Sequence, residues 1–138
     1  MINQTNIKIH LVTFANKKPF IQSQKILDSI YKKCGISTHT MWNQYLIYNT
    51  EFYNQNINIF EKYSVGFGLF IWKPYIIYQK INEINDGEFI YYQDSSRYDF
   101  KGLNCNFLSI CEFMNNNSIE LLPGFQINSA NKYLIKEE

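Results

Sequence analysis

Asp94 leaves a mostly apolar run, Glu88-Phe89-Ile90-Tyr91-Tyr92-Gln93, and is followed by two hydroxyls, Ser95 and Ser96, and by Arg97. A carboxylate with hydroxyls beside it can hold a hard divalent cation, which in turn grips a diphosphate. An Asp in this place also caps the next turn, and one position leaves both readings open. Upstream, Gly66-Phe67-Gly68-Leu69-Phe70-Ile71-Trp72-Lys73-Pro74 carries a second set of groups. Two glycines permit close backbone approach to a ligand, and Trp72 offers a flat face for a base or a sugar. Lys73 falls at an expected helix start, where its charge and free N–H groups would both serve a phosphate. Taken singly, Trp72 also reads as core and Lys73 as solvated surface. His10 and His39 lie far apart, and Cys34, Cys105 and Cys111 form no CxxC pair, so no zinc site is expected.

The elements that must position these groups alternate between strand and helix. Ile7 to Phe14 alternates and then runs apolar, as a buried first strand does. Ala15 to Pro19 reads as the loop leaving it. Ile26, Leu27, Ile30, Tyr31 and Cys34 recur at helical spacing over Ile21–Cys34, with Gly35 as the stop. Ile36–Trp42 is the expected second strand, and strand, helix, strand opens a parallel sheet. A second helix is expected over Thr50–Tyr63, N-capped by Thr50 or Asn49 with Glu51 in its first turn. Ser64 to Gly68 breaks it. Pro74 suits the first turn of a third helix, whose apolar stripe is Ile77, Tyr78, Ile81 and Ile84 and whose end is Asn85-Asp86-Gly87. Glu88–Tyr92 is the next strand. A fourth helix is expected over Asn104–Met114, then a polar turn and a short strand over Ile119–Leu122. Ligands of open α/β sheets bind at the carboxyl ends of strands, which singles out Thr13-Phe14-Ala15 and Gln93-Asp94-Ser95-Ser96.

Composition narrows the classes further. The 138 residues are 46% hydrophobic and 18% charged, the profile of one folded domain spanning residues 1–138. The 11 Tyr and 11 Phe, with abundant Asn, Ile and Lys, reflect codon bias as readily as function. A net charge of +1 gives no basic face for nucleic acid, and Lys17-Lys18 and Lys32-Lys33 read as solvated pairs. No transmembrane segment is expected, because Lys73 and Pro74 interrupt the longest apolar stretch. The start of the chain lacks the pattern of a signal peptide, and the odd number of cysteines suits a reducing compartment, so the expected location is cytoplasmic.

Together, Gly66, Gly68, Trp72, Lys73, Pro74, Gly87, Glu88, Tyr92 and Asp94 resemble a motif block of a family of bacterial and viral glycosyltransferases. That family is related to capsular-polysaccharide and mannosyl-type transferases of the GT-A fold. Ile9 to Phe14 is similar to its first strand, and Pro123-Gly124-Phe125-Gln126 to a later one. The resemblance implies an α/β, Rossmann-like, mostly parallel sheet flanked by helices. It also implies a nucleotide-diphosphate sugar donor and a carbohydrate or glycan acceptor. Asp94 would take the Asp-x-Asp role as catalytic residue and ligand of Mn2+ or Mg2+, with Ser96 where the second Asp stands. Phe14, Trp72, Lys73, Ser96 and Arg97 would contact the donor. Asp94-Ser95-Ser96 departs from Asp-x-Asp, and a hydroxyl is the poorer ligand for a hard cation. The resemblance covers the donor-binding half, so acceptor-binding residues are expected to be missing. Two functions follow as expectations: a glycosyltransferase, and a non-catalytic remnant or interaction domain that keeps the fold. Pairing of an exposed sheet edge with a second copy is a further expectation.

Overall fold

The structure is a computed structural model and describes residues 6–95 and 107–121. Its centre is β1 (Ile9–Ala15), all seven residues of which are buried. β2 (Thr38–Asn43) and β3 (Phe89–Tyr92) flank it in a three-stranded sheet of order β2-β1-β3. Both pairings are parallel, with Phe14 opposite Trp42 and Val12 opposite Tyr92. A strand buried on both faces reads as a near-continuous apolar run, and Ile9-His10-Leu11-Val12-Thr13-Phe14 does so.

The two faces of β1 meet different helices. Ile9 and Leu11 pack with Leu27, Cys34, Ile36 and Cys111, beneath α1 (Lys18–Ile30) and α7 (Phe107–Asn116). Val12 and Phe14 pack with Ile47, Phe60, Trp72 and Ile76, drawn from α2 (Gln44–Tyr48), α4 (Ile57–Lys62) and α6 (Trp72–Glu83). The chain is therefore α/β, a small parallel sheet with helices on both faces. Leu11 and Leu27 are fully buried, each worth about 1.5–3 kcal/mol of removed apolar surface. Among the described residues no helix is long and apolar enough to cross a membrane.

Several expected boundaries move for local reasons. The first helix begins at Lys18, because Pro19 fits its first turn, and it tightens into a 3-10 turn over Tyr31–Cys34 before Gly35. Its buried residues are Ser23, Gln24 and Leu27, while Ile26 faces solvent. Asn43 accepts Leu46 N–H at 3.0 Å and so starts α2, a helix the sequence reading lacks. The expected helix over Thr50–Tyr63 is two short ones, α3 (Glu51–Gln55) and α4, separated at Asn56, whose side chain bonds back to Phe52 O. Thr50, not Asn49, is the N-cap, accepting Tyr53 N–H at 3.1 Å. On α6 the buried stripe is Trp72, Ile76 and Lys80, spaced by one turn; Tyr78 and Ile81 of the expected stripe are exposed. No strand forms over 119–121, where Leu121 is 83% exposed. Leu122 and the Pro123-Gly124-Phe125-Gln126 segment lie outside the described residues.

Candidate functional site

β1 connects to β2 on one side through α1, while β3 lies on its other side. A crevice lies at the carboxyl ends of β1 and β3, the usual ligand position in such sheets. A cavity of about 360 Å³ occupies it, within the roughly 300–1,000 Å³ typical of small-molecule sites. Phe14, Asn16, Lys17 and Phe20 line one side, and Asp94 and Ser95 another. Ser64, Gly66, Phe67, Phe70 and Trp72 close it.

The closing wall is a left-handed turn. Gly66, Phe67, Gly68, Leu69 and Phe70 have φ of 60, 50, 75, 55 and 63° in succession. Each non-glycine in that conformation costs about 1–2 kcal/mol, and such strain gathers at functional sites. The turn is held by its own backbone: Gly68 N–H reaches Tyr63 O at 2.9 Å and Leu69 N–H reaches Val65 O at 3.0 Å. The glycines serve ring packing. A Cβ on Gly68 would stand 2.7 Å from the Phe60 ring, and one on Gly66 2.4 Å from the Phe70 ring. Trp72 is 4% exposed, stacks on Phe14 with centroids 3.8 Å apart, and donates its indole N–H to Gly66 O at 2.9 Å. One of its faces is therefore already taken by Phe14.

Asp94 lines the same cavity. Lys73 Nζ lies 3.0 Å from Asp94 Oδ1 and within 5.2–5.9 Å of the Tyr92, Phe70 and Trp72 ring centroids. Tyr92 donates its hydroxyl to Asp94. Burial and the neighbouring carboxylate push the Tyr92 phenol above its ordinary range, so it remains a neutral donor. The Asp94 side chain is 63% exposed, and an ion pair so placed is worth about 0–1 kcal/mol. Its carboxylate is oriented from behind yet open to a ligand in front.

The amino end of α1 offers the opposite chemistry. Its N-cap is Lys17, which makes no side-chain capping bond, and no acidic residue stands in the first turn. Ile21 N–H makes the bond to Lys17 O, Pro19 has no N–H, and the Lys18 and Phe20 amides precede any intrahelical acceptor. Ser95 is 4% exposed, and among the described residues its hydroxyl has no hydrogen-bond partner. The amino end of α6, where the sequence places phosphate donors, is poorer: Lys73 N–H is spent on Phe70 O at 3.0 Å, and Pro74 has none.

Phe14, Trp72 and Asp94 thus meet in one crevice, and Lys73 joins it through Asp94. Ser96 and Arg97 lie outside the described residues. Asn16, Lys17, Phe20 and Phe70 carry no motif, and Lys17 reads as surface until the loop is folded. The one signal for it is a helix start at Pro19 with neither a capping side chain nor an acid nearby. Ser95 stands out in sequence only as one of two hydroxyls behind Asp94. Among the described residues no three His, Cys, Asp or Glu side chains gather as metal ligands. Asp94 is the one carboxylate of the described lining and already faces an ammonium, so these residues do not by themselves fit a divalent cation. No family model, curated protein or solved structure matches the chain.

Proposed function

We propose that the crevice binds a nucleotide-diphosphate sugar and that the sheet is a Rossmann-like, GT-A-type scaffold for a glycosyltransferase-like activity. The observation that carries this reading is the mixed lining at two strand ends. An aromatic wall, a carboxylate open to hydroxyls and an uncapped helix start face one cavity of about 360 Å³. An aromatic face suits a base, an ionised carboxylate accepts ribose or sugar hydroxyls, and a helix amino end suits a phosphate. Asp94 is the residue that would touch the sugar. Lys73 positions it. A charge developing on the diphosphate needs a cation or free N–H groups beside it.

Thermal unfolding against a panel of nucleotide sugars, with and without manganese, tests this. A donor that binds only the folded chain adds about 2.7 kcal/mol of stability at a hundred-fold excess over its Kd. We expect one donor class to raise Tm and Asp94→Ala to remove most of the rise. No shift with any donor sinks the reading. A cation joins the site if the shift requires manganese.

A non-catalytic binding domain is the second reading, favoured by the single lysine-balanced carboxylate of the described lining. A donor that binds without being hydrolysed or transferred to any glycan acceptor selects it.

A further inference from the structure

We propose that the amino end of α1, with Lys17 and Ser95, is an anion subsite that takes the diphosphate of the ligand. The proposal rests on the reading of the crevice as a ligand site and assigns its polarity.

Two independent observations meet there. The first is the helix start itself: thirteen residues long, N-capped by a lysine that makes no capping bond, with no acid in the first turn. Among the described residues, no anion meets the positive end of the helix dipole or the Lys18 and Phe20 amides. The second is Ser95. Its hydroxyl is buried, lines the same cavity and has no hydrogen-bond partner among the described residues. A buried hydroxyl without a partner is destabilising, and a phosphate oxygen in the crevice would accept from it.

The parallel register brings the two together. Val12 pairs with Tyr92 and Gln93 N–H bonds Val12 O at 3.1 Å, which carries Asp94 and Ser95 to the level of the end of β1. The loop Asn16-Lys17 leaves β1 at that level and adds a side-chain ammonium and an amide. Lys73, by contrast, is committed to Asp94, and two of the first three positions of its helix offer no free amide, since Lys73 N–H bonds Phe70 O and Pro74 has none. A diphosphate at α1 leaves the Phe67 and Phe70 wall of the cavity for an aromatic base and Asp94 for hydroxyls.

Titration of the whole chain with inorganic pyrophosphate, beside a nucleotide sugar, tests the subsite. Pyrophosphate is expected to bind. Lys17→Ala and Ser95→Ala should each weaken it by about tenfold or more, as loss of a hydrogen bond to a charged group does. Lys73→Ala should weaken it less than either. Without ligand, Ser95→Ala should melt at or above the wild-type temperature, because it removes an unpaired buried hydroxyl; a purely structural serine would move the other way. Pyrophosphate affinity indifferent to Lys17→Ala and Ser95→Ala overturns the subsite. If a nucleotide sugar binds with no dependence on either residue, the subsite falls and the crevice reading stands. If pyrophosphate binds through both residues and no nucleotide sugar binds, the subsite stands and the donor reading falls.

Discussion

Thr13 puts a hydroxyl in the middle of a buried strand, and two side chains complete its hydrogen bonds. Gln24 donates to Thr13 Oγ1 at 2.9 Å and to Trp42 O at 3.0 Å. His39 Nε2 lies 2.8 Å from the same hydroxyl, and His39 Nδ1 lies 3.0 Å from Asp28 Oδ1. With Nδ1–H donating to Asp28, Nε2 accepts the threonine proton, so the neutral ring is the one that fits. Burial pulls the His39 pKa below 6.5, against the opposing effect of Asp28. A histidine depressed in the folded state binds its proton more readily when unfolded, so its contribution is complete above pH 6.5 and is lost as pH falls through the folded value. Urea unfolding from pH 7.5 to 5 should therefore show wild-type stability falling on acidification, and His39→Gln should flatten that fall. Equal pH slopes in the two proteins refute it. Glu88 adds a second, more acidic step. Its bonds from the Asn85 side chain and backbone, with help from Lys8 and His10, hold its carboxyl at about 2, so its contribution fades as pH drops from 4.5 toward 2. The Thr13–His39 and His10–Glu88 contacts are not legible in sequence, because residues tens of positions apart meet there only through the sheet. Trp72 is a related case: its type is compatible with a ligand platform, but only the fold reveals that Phe14 occupies one face.

Among the elements, the strands are the most readable, since parallel pairing buries both faces and leaves an apolar signature. β1, β2 and β3 lie within two residues of their expected bounds. Helix faces are less readable. α1 buries Ser23 and Gln24, and α6 buries Lys80, because each meets a partner: Pro19 O, Thr13 and Glu83 respectively. A count of apolar residues at helical spacing cannot see such bonds. Least readable is the segment Gly66–Leu69 (α5), which the sequence marks as a break and which folds as a left-handed turn. Its two glycines allow the turn, but Phe67, Leu69 and Phe70 follow them into positive φ against their own preference. Gly68→Ala tests the cost. The left-handed backbone takes about 1–2 kcal/mol, and displacing the Phe60 ring adds roughly 1–3 kcal/mol. Gly87→Ala bears only the backbone part, because no described residue lies within 4 Å of its Cβ position. Chemical denaturation should therefore find Gly68→Ala the less stable variant, and equal losses would contradict the packing described for the turn.

At the scale of the molecule, the strand order decides where a ligand can sit. With β1 central and β3 beside it, their carboxyl ends lie side by side, and Phe14, Asp94 and Ser95 line one cavity there. Phe14 and Asp94 are legible because they end strands, and Lys17 and Ser95 become meaningful only once those ends are side by side. The account stands or falls on that crevice being a ligand site. The most direct measurement is backbone amide NMR of the labelled chain titrated with a nucleotide sugar. Shifts concentrated at Asn16, Lys17, Phe20, the Gly66 to Phe70 turn and Ser95, saturating at one stoichiometric equivalent, are the predicted result. Saturable shifts at a surface away from these residues, or none at millimolar ligand, would contradict it.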